Sequence, residues 1–224
     1  MDWNIIGSMT ELKEDDMHPG ERYQLIKVKG KGSYGIVGAY KDKKTNTKVA
    51  IKRMHKIEDS IDARRMIREI RILHNFRHGN IIELKRVIYN NNPKELFGDI
   101  YLVTDLMDVD LSHLIKKNRE ELTDDHIQFI VYQIFRGLKF LHTRGVIHRD
   151  IKPSNILADE NCDIRLCDFG FAREENMDLN AMTEYVVTRY YRAPEVMLNS
   201  QNYQKVYHLL SLVCGYLVCR LHIL

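Results

Sequence analysis

The stretch His-Arg-Asp-Ile-Lys-Pro-Ser-Asn at 148–155 holds three side chains suited to one chemistry. Asp150 can take a proton from a hydroxyl, and Lys152 can hold an anionic oxygen beside it. Asn155 offers a hard oxygen to a cation such as Mg2+. Pro153 interrupts any helix, so this stretch must be a loop. Leu-Cys-Asp-Phe-Gly at 166–170 then supplies Asp168 as a second oxygen ligand. Far upstream, Gly30, Gly32 and Gly35 stand in G-x-G-x-x-G-x-V spacing, with Lys31, Ser33 and Tyr34 between them and Val37 closing the motif. Glycine lets a hairpin backbone come close to phosphate oxygens. Lys52 ends Val-Ala-Ile-Lys at 49–52, inside an apolar run, where an ammonium can reach α- and β-phosphates. A buried cation needs a partner, and Glu69 on the next element can supply one.

Each feature alone has an ordinary reading. A glycine triplet is usually a turn, a strand lysine a solvated charge, and a loop acid a structural group. A dinucleotide fold would need a helix to begin at the glycines and an acid about twenty residues on; another strand and a lysine follow instead. In this order, and ending with Arg-Ala-Pro-Glu at 192–195, the set points to phosphoryl transfer from a magnesium-bound nucleotide.

The elements that must position these residues change character along the chain. Residues 1–20 are mixed and polar and are expected to form a flexible extension. From Tyr23, two β-rich runs flank the glycines, and Lys-Lys-Thr-Asn-Thr-Lys makes a turn into Val-Ala-Ile-Lys. Residues 60–73 read as a helix, with Met66, Ile67, Ile70 and Leu73 on its apolar side. Residues 81–89 and 99–106 read as strands around a turn-rich segment. From Leu122 a helix is predicted, with Thr123 as N-cap and Gly145 closing it. Its stripe is Ile127, Ile130, Val131, Ile134, Leu138 and Leu141, which is core rather than a ligand surface. The order is a β-rich half with one helix and then a helical half, an α+β arrangement in two lobes.

The totals bound the class. The chain has 224 residues, 44% hydrophobic and 29% charged, with 34 basic against 31 acidic residues and a net charge of +3. That balance is too even to argue for nucleic acid on charge alone, and no nucleic-acid partner is expected. The four cysteines are too widely spaced for a zinc knuckle and are expected to be reduced thiols. The N-terminus lacks the pattern of a secretory signal, which sets the expectation of a cytoplasmic protein, with the nucleus as a second location.

The motifs resemble those of the eukaryotic protein kinases over roughly residues 22–205, and His-Arg-Asp-Ile-Lys-Pro-Ser-Asn looks like the serine/threonine branch. Met-Thr-Glu-Tyr-Val-Val-Thr-Arg-Tyr-Tyr-Arg-Ala-Pro-Glu at 182–195 resembles the mitogen-activated protein kinases, in the extracellular-signal-regulated subclass. The resemblance implies a β-rich N-lobe at 21–107 and a helical C-lobe at 108–205. It implies ATP and Mg2+ as cofactors. It also implies protein substrates, phosphorylated before proline, and an upstream dual-specificity kinase as partners. By the same resemblance Gly30 to Val37 cover the ATP phosphates, Lys52 pairs with Glu69, and Thr104 is the gatekeeper. Leu106 and Met107 hold adenine under Val49 and Ala50, and Asp110 meets the ribose. Asp150 is the base, Lys152 steadies the γ-phosphate, and Asn155 and Asp168 bind Mg2+. Thr183 and Tyr185 are the phosphorylated pair, with Arg68, Arg149 and Arg173 as the phosphothreonine clamp and Arg189 for phosphotyrosine. Phe171 departs from the pattern, since the family usually has leucine after the Asp-Phe-Gly glycine.

The resemblance stops at Lys205. Residues 206–224, Val-Tyr-His-Leu-Leu-Ser-Leu-Val and onward, are almost wholly apolar. A tail anchor and a substitute core helix are two readings of them. The genetic code favours a third: residues 214–223 can be encoded so that the same bases, read one position later, spell Val-Asp-Ile-Trp-Ser-Val-Gly-Cys-Ile, the family's next motif. A retained short intron or a frameshift produces that pattern, and membrane attachment is not expected. On this reading the C-lobe is incomplete, and the stripe of residues 127–141 keeps only part of its cover. The expectations for this chain are then a doubtful enzyme, a non-catalytic isoform that binds ATP or partners, or an unstable product.

Overall fold

The computed structural model describes residues 19–32, 35–54, 60–90, 99–117 and 121–174. Ser33, Tyr34, Thr183, Tyr185, Arg189, residues 1–18 of the N-terminal extension and the apolar tail therefore lie outside the described residues. The chain forms two compact units, residues 1–57 with 85–106 and residues 58–84 with 107–224.

The first unit is built on a five-stranded sheet. Its strands are β1 (Tyr23–Gly32), β2 (Gly35–Asp42), β3 (Thr47–Met54), β4 (Leu84–Asn90) and β5 (Asp99–Asp105), in the order β1-β2-β3-β5-β4. The pairings β1–β2, β2–β3 and β3–β5 are antiparallel. Strand side chains alternate between faces. One face packs Tyr23, Ile36, Tyr40, Val49, Ile51, Tyr101 and Val103 into a core. Burial pushes the Tyr40 and Tyr101 hydroxyls up to about 12. Arg22 pairs with Asp42 and so ties the start of β1 to the end of β2; this hydrogen-bonded pairing holds the Asp42 carboxyl far below its usual range. The strand expected over 81–89 begins only at Leu84, because Ile81 is drawn into a parallel bridge with Leu166.

The second unit holds α1 (Ser60–Asn75), α2 (Leu111–Lys117) and α3 (Asp124–His142). It also holds the short strands β6 (Val109–Asp110), β7 (Val146–Ile147), β8 (Ile156–Ala158), β9 (Ile164–Leu166) and β10 (Arg173–Glu174). β6, β8 and β9 form one antiparallel sheet, and β7 pairs with β10.

α3 begins as expected. Thr123 accepts from the His126 N–H at 3.3 Å, and the His126 ring accepts from the Thr123 N–H at 3.3 Å, so a histidine completes a capping box. The helix ends at His142; Gly145 stands beyond it, in a turn at φ 68°. Ile130, Ile134, Leu138 and Leu141 are buried in the larger core, together with Ile81, Ile82, Ile164, Leu166 and Phe169. These four stripe residues keep their cover in the described structure. On α1 the buried side is Met66, Glu69, Ile72 and Leu73, while Ile67, expected inside, is 63% exposed. The buried side lies one step off the expected stripe, because its centre is a carboxylate, Glu69, rather than an aliphatic.

Candidate active site

In the first unit, strand register sets the site. Gly30 stands opposite Val37, Val37 opposite Lys52, and Lys52 opposite Leu102. The neighbouring row runs Ala39, Ala50, Thr104. Directly opposed residues share a face. Gly30, Val37, Lys52, Ala50 and Thr104, scattered over much of the unit, are thereby gathered on the face opposite the aromatic core. Val49 points the other way and packs in that core, so of the expected pair only Ala50 lies on the Lys52 face.

The glycines of the motif serve different ends. At Gly30 an added Cβ would meet nothing within 4 Å, so the backbone there is open to a ligand. At Gly35, with φ 144°, a Cβ would lie 2.1 Å from the Arg53 carbonyl oxygen, so this glycine answers to the close approach of β3. Arg53 itself forks onto Asp99, with Nη2 at 3.0 Å from each carboxylate oxygen. Lys85 Nζ lies 2.7 Å from Asp105 Oδ1, bracing the end of β5 where Thr104 and Leu106 stand.

In the second unit, the loop after β7 folds onto itself. Asp150 is buried, and Asn155 Nδ2 donates to both its carbonyl and its Oδ2 at 2.9 Å. Lys152 Nζ lies 2.8 Å from the same Oδ2. A 3-10 turn at Pro153–Asn155, with proline at its start, brings Asn155 back under Asp150. Burial pushes the Asp150 carboxyl up, against the pull of Lys152. Raising a carboxyl in this way suits it to proton transfer.

Asn155 and Asp168 sit beside each other through the backbone, since the Cys167 N–H donates to the Asn155 carbonyl at 3.0 Å. The Asn155 amide spends its NH2 on Asp150, which leaves Oδ1 for another partner. The Asp168 carboxylate makes no hydrogen bond or ion pair to the described residues. One carboxylate oxygen and one amide oxygen, both uncommitted, fit a hard divalent cation. Arg149 and Asp168 both adopt left-handed backbone, at φ 68° and 63°, a strain on the order of 1–3 kcal/mol each that clusters at working sites.

His148 is the residue that motif reading passed over. It is fully buried, its Nε2 lies 3.0 Å from the Cys167 carbonyl, and its Nδ1 accepts from the Asp150 N–H at 3.3 Å. Its ring also lies against Phe169, 4.7 Å between centroids. One neutral imidazole thus braces the Asp150 loop and the Asp168 segment together. Burial lowers its pKa, with Asp150 and Asp168 pulling the other way.

Of the three described clamp arginines, Arg68 and Arg173 lie close enough to repel each other. Burial lowers the Arg68 pKa, and Arg173, Arg65 and Arg64 add like-charge repulsion. Arg68 Nη1 donates to the Gly170 carbonyl. Nε of Arg149 and of Arg173 is buried without a hydrogen bond, although both side chains make other contacts. Phe171 is buried, with the Arg65 guanidinium 4.9 Å from its ring centroid, so the bulkier side chain is accommodated by a cation–π contact to α1. Glu69 is buried on α1 in the second unit, and Lys52 belongs to the first. Met107 packs in the larger core, and Asp110 caps α2 by accepting the His113 N–H at 3.0 Å.

The chain is similar to mitogen-activated protein kinase 13 of Arabidopsis thaliana, 44% identical over 213 residues that cover 95% of this chain and 56% of that protein. It is similar to mitogen-activated protein kinase 4 of Oryza sativa subsp. japonica, 48% identical over 183 residues, 81% of this chain and 49% of that one. It is also similar to extracellular signal-regulated kinase 1 of Dictyostelium discoideum, 47% identical over 195 residues, 86% of this chain and 36% of that protein. The chain spans about half the length of most of the curated relatives it matches. The protein kinase domain family matches residues 23–221, an interval that takes in much of the apolar tail as well as every motif above. With the Asp150 loop, the Asp168 segment and the glycine hairpin all inside that interval, the chain belongs to the protein kinase family, and its relatives there are mitogen-activated protein kinases.

Proposed function

We propose that this chain carries the nucleotide-binding and catalytic region of a mitogen-activated serine/threonine kinase, transferring the ATP γ-phosphoryl group to protein hydroxyls that precede proline. The observation that carries the reading is the Asp150–Lys152–Asn155 cluster beside an uncommitted Asp168. Asp150 accepts the proton of the substrate hydroxyl as its oxygen attacks the γ-phosphorus and the bond to the ADP oxygen breaks. Lys152, now 2.8 Å from Asp150 Oδ2, would exchange that oxygen for one of the γ-phosphate. Asn155 and Asp168 would hold Mg2+, which when bound neutralises charge building on the transferred group. Gly30 and Val37 would cover the phosphates, and Lys52 would pair with Glu69 and reach the α- and β-phosphates.

Regulation follows from the arginines. Phosphorylation of Thr183 and Tyr185 by an upstream dual-specificity kinase adds about −3 to −4 charge. Arg68, Arg149 and Arg173 would take the phosphothreonine. For Arg68 this means exchanging the Gly170 carbonyl for phosphate, which couples the phosphate to α1 and so to Glu69.

The test is transfer of labelled γ-phosphate to a protein substrate with Ser-Pro or Thr-Pro sites, by the chain treated with an activating kinase. Asp150→Asn is expected to lower the rate by about 10²- to 10⁴-fold with nucleotide affinity unchanged. Nucleotide binding without transfer in the wild-type chain would show a non-catalytic protein instead.

A further inference from the structure

The segment that carries Asp168 is held from two sides. On one side Phe169 is fully buried, with its ring against His148. On the other side stands α1. Arg68 Nη1 donates to the Gly170 carbonyl, and one turn earlier the Arg65 guanidinium lies 4.9 Å from the Phe171 ring centroid. Helical residues three apart share a face, so one face of α1 grips two consecutive residues of the segment. The packing there is close: a Cβ at Gly170 would lie 3.5 Å from Asp168 Oδ1 and 4.0 Å from Arg65 Cβ. Phe171 is 8% exposed, and the Ala172 N–H donates to the Phe169 carbonyl at 3.0 Å, so the ring sits in a closed turn. Arg65 Nη1 also lies 3.5 Å from Asp62 Oδ1, which steadies it on the helix. Phe171 is the residue that stands where the family usually has leucine, and a leucine offers a cation no aromatic face.

We propose that Arg65 is a positioning residue for magnesium binding: by gripping the Phe171 ring it holds the Asp168 segment in its strained conformation. This rests on the reading of Asp168 as a magnesium ligand. Asp168 has φ 63°, a left-handed backbone that a non-glycine residue keeps only where its neighbours over-determine it. Phe169 supplies that constraint from the core and Phe171 supplies it from α1. When Arg68 leaves the Gly170 carbonyl for phosphate, the Arg65–Phe171 contact is the hold on this segment that α1 retains. The departure at 171 thus gives this chain a fastening that does not depend on phosphorylation.

The test uses the full chain with Arg65→Gln or Phe171→Leu, which remove the contact, and Arg65→Lys or Phe171→Tyr, which keep a cation and a ring. Amide hydrogen exchange over residues 167–172 reads the hold without any ligand. Calorimetry reads ADP affinity with Mg2+ and with EDTA. Arg65→Gln and Phe171→Leu are expected to speed that exchange. They should weaken Mg·ADP by about two- to fivefold, the size of one partly exposed cation–π contact, and leave metal-free ADP affinity unchanged. The double variant is expected to lose no more than either single one. Arg65→Lys and Phe171→Tyr are expected to stay close to wild type. Phe171→Leu leaves every charge in place, so its loss is separate from the repulsion that Arg65 adds to Arg68. Unchanged exchange in both disrupting variants, additive losses, or an equal fall in metal-free ADP affinity overturns the role of Arg65 and leaves the magnesium reading standing. So does an equal loss in Arg65→Lys and Phe171→Tyr. No effect of Mg2+ on ADP affinity in the wild-type chain overturns the magnesium reading and this inference with it.

Discussion

At Gly35 a methyl group would sit 2.1 Å from the Arg53 carbonyl oxygen, whereas at Gly30 it would meet nothing within 4 Å. Gly35→Ala is accordingly expected to cost roughly 2–4 kcal/mol, through backbone overlap and positive φ. Gly30→Ala is expected to move stability by less than about 0.5 kcal/mol and to weaken nucleotide binding. Denaturant unfolding alongside nucleotide titration separates the two; equal loss of stability in both would show that the hairpin needs both glycines for folding alone. A second residue-scale expectation concerns His148. Its folded pKa is depressed by burial from 6.5, so its contribution to stability is full above that value. The contribution is lost as pH falls from there toward the folded pKa. Asp150 acts in the opposite sense, its burial penalty growing as pH rises above 3.8. Unfolding free energy should therefore drop on acidification below about pH 6.5. His148→Asn should flatten that drop, and an unchanged profile in the variant would assign the acid sensitivity elsewhere.

At the scale of elements, α3 is held by a polar pair that its apolar stripe conceals. Gln133 Oε1 accepts from Asn80 Nδ2 at 3.1 Å and from the Ile164 N–H at 3.0 Å, and Gln133 Nε2 donates to the Cys162 carbonyl at 2.8 Å. These bonds fasten α3 to β9 and to the turn before it. Gln133→Leu leaves a buried N–H and a carbonyl unpaired, at about 1–3 kcal/mol each. A loss of about 2–4 kcal/mol in urea unfolding, with an unchanged m-value, is expected. Gly137 has the same origin, since a Cβ there would lie 3.0 Å from Leu166 Cδ1 and 3.1 Å from the Asn80 carbonyl. Both positions interrupt the hydrophobic pattern, so periodicity alone passes over them. Thr123, by contrast, is visible in sequence because capping depends on local neighbours.

For the whole molecule, two outcomes matter. If Asn155 and Asp168 hold Mg2+, Mg·ATP at a hundredfold its Kd should stabilise the chain by about 2.7 kcal/mol. Asp168→Asn should remove most of the magnesium-dependent part and leave metal-free nucleotide binding; thermal unfolding with and without EDTA reads this directly. The outer side of α3 presents Phe129, Tyr132 and Phe135 at 46%, 60% and 37% exposure. Replacing all three with glutamine should shift the chain from aggregate toward monomer in size-exclusion chromatography, with little change in melting temperature. A variant as aggregated as the parent would place the sticky surface elsewhere.

The candidate catalytic residues and their order are legible in the sequence alone. The glycines, Lys52, Asp150 with Lys152 and Asn155, and Asp168 fall in four short motifs, and such motifs are legible because their chemistry needs residue types at short, constant spacing. The caps and most element types were legible for the same reason, being set by neighbours within a few residues. Tertiary structure alone decided the rest. Register across four strands put Gly30, Val37, Lys52, Ala50 and Thr104 on one face and turned Val49 away. Burial made His148 the neutral brace of the Asp150 loop, and made Glu69 rather than Ile67 the centre of the buried side of α1. Those outcomes depend on which distant segments pack together, and a pattern along one chain does not carry that information.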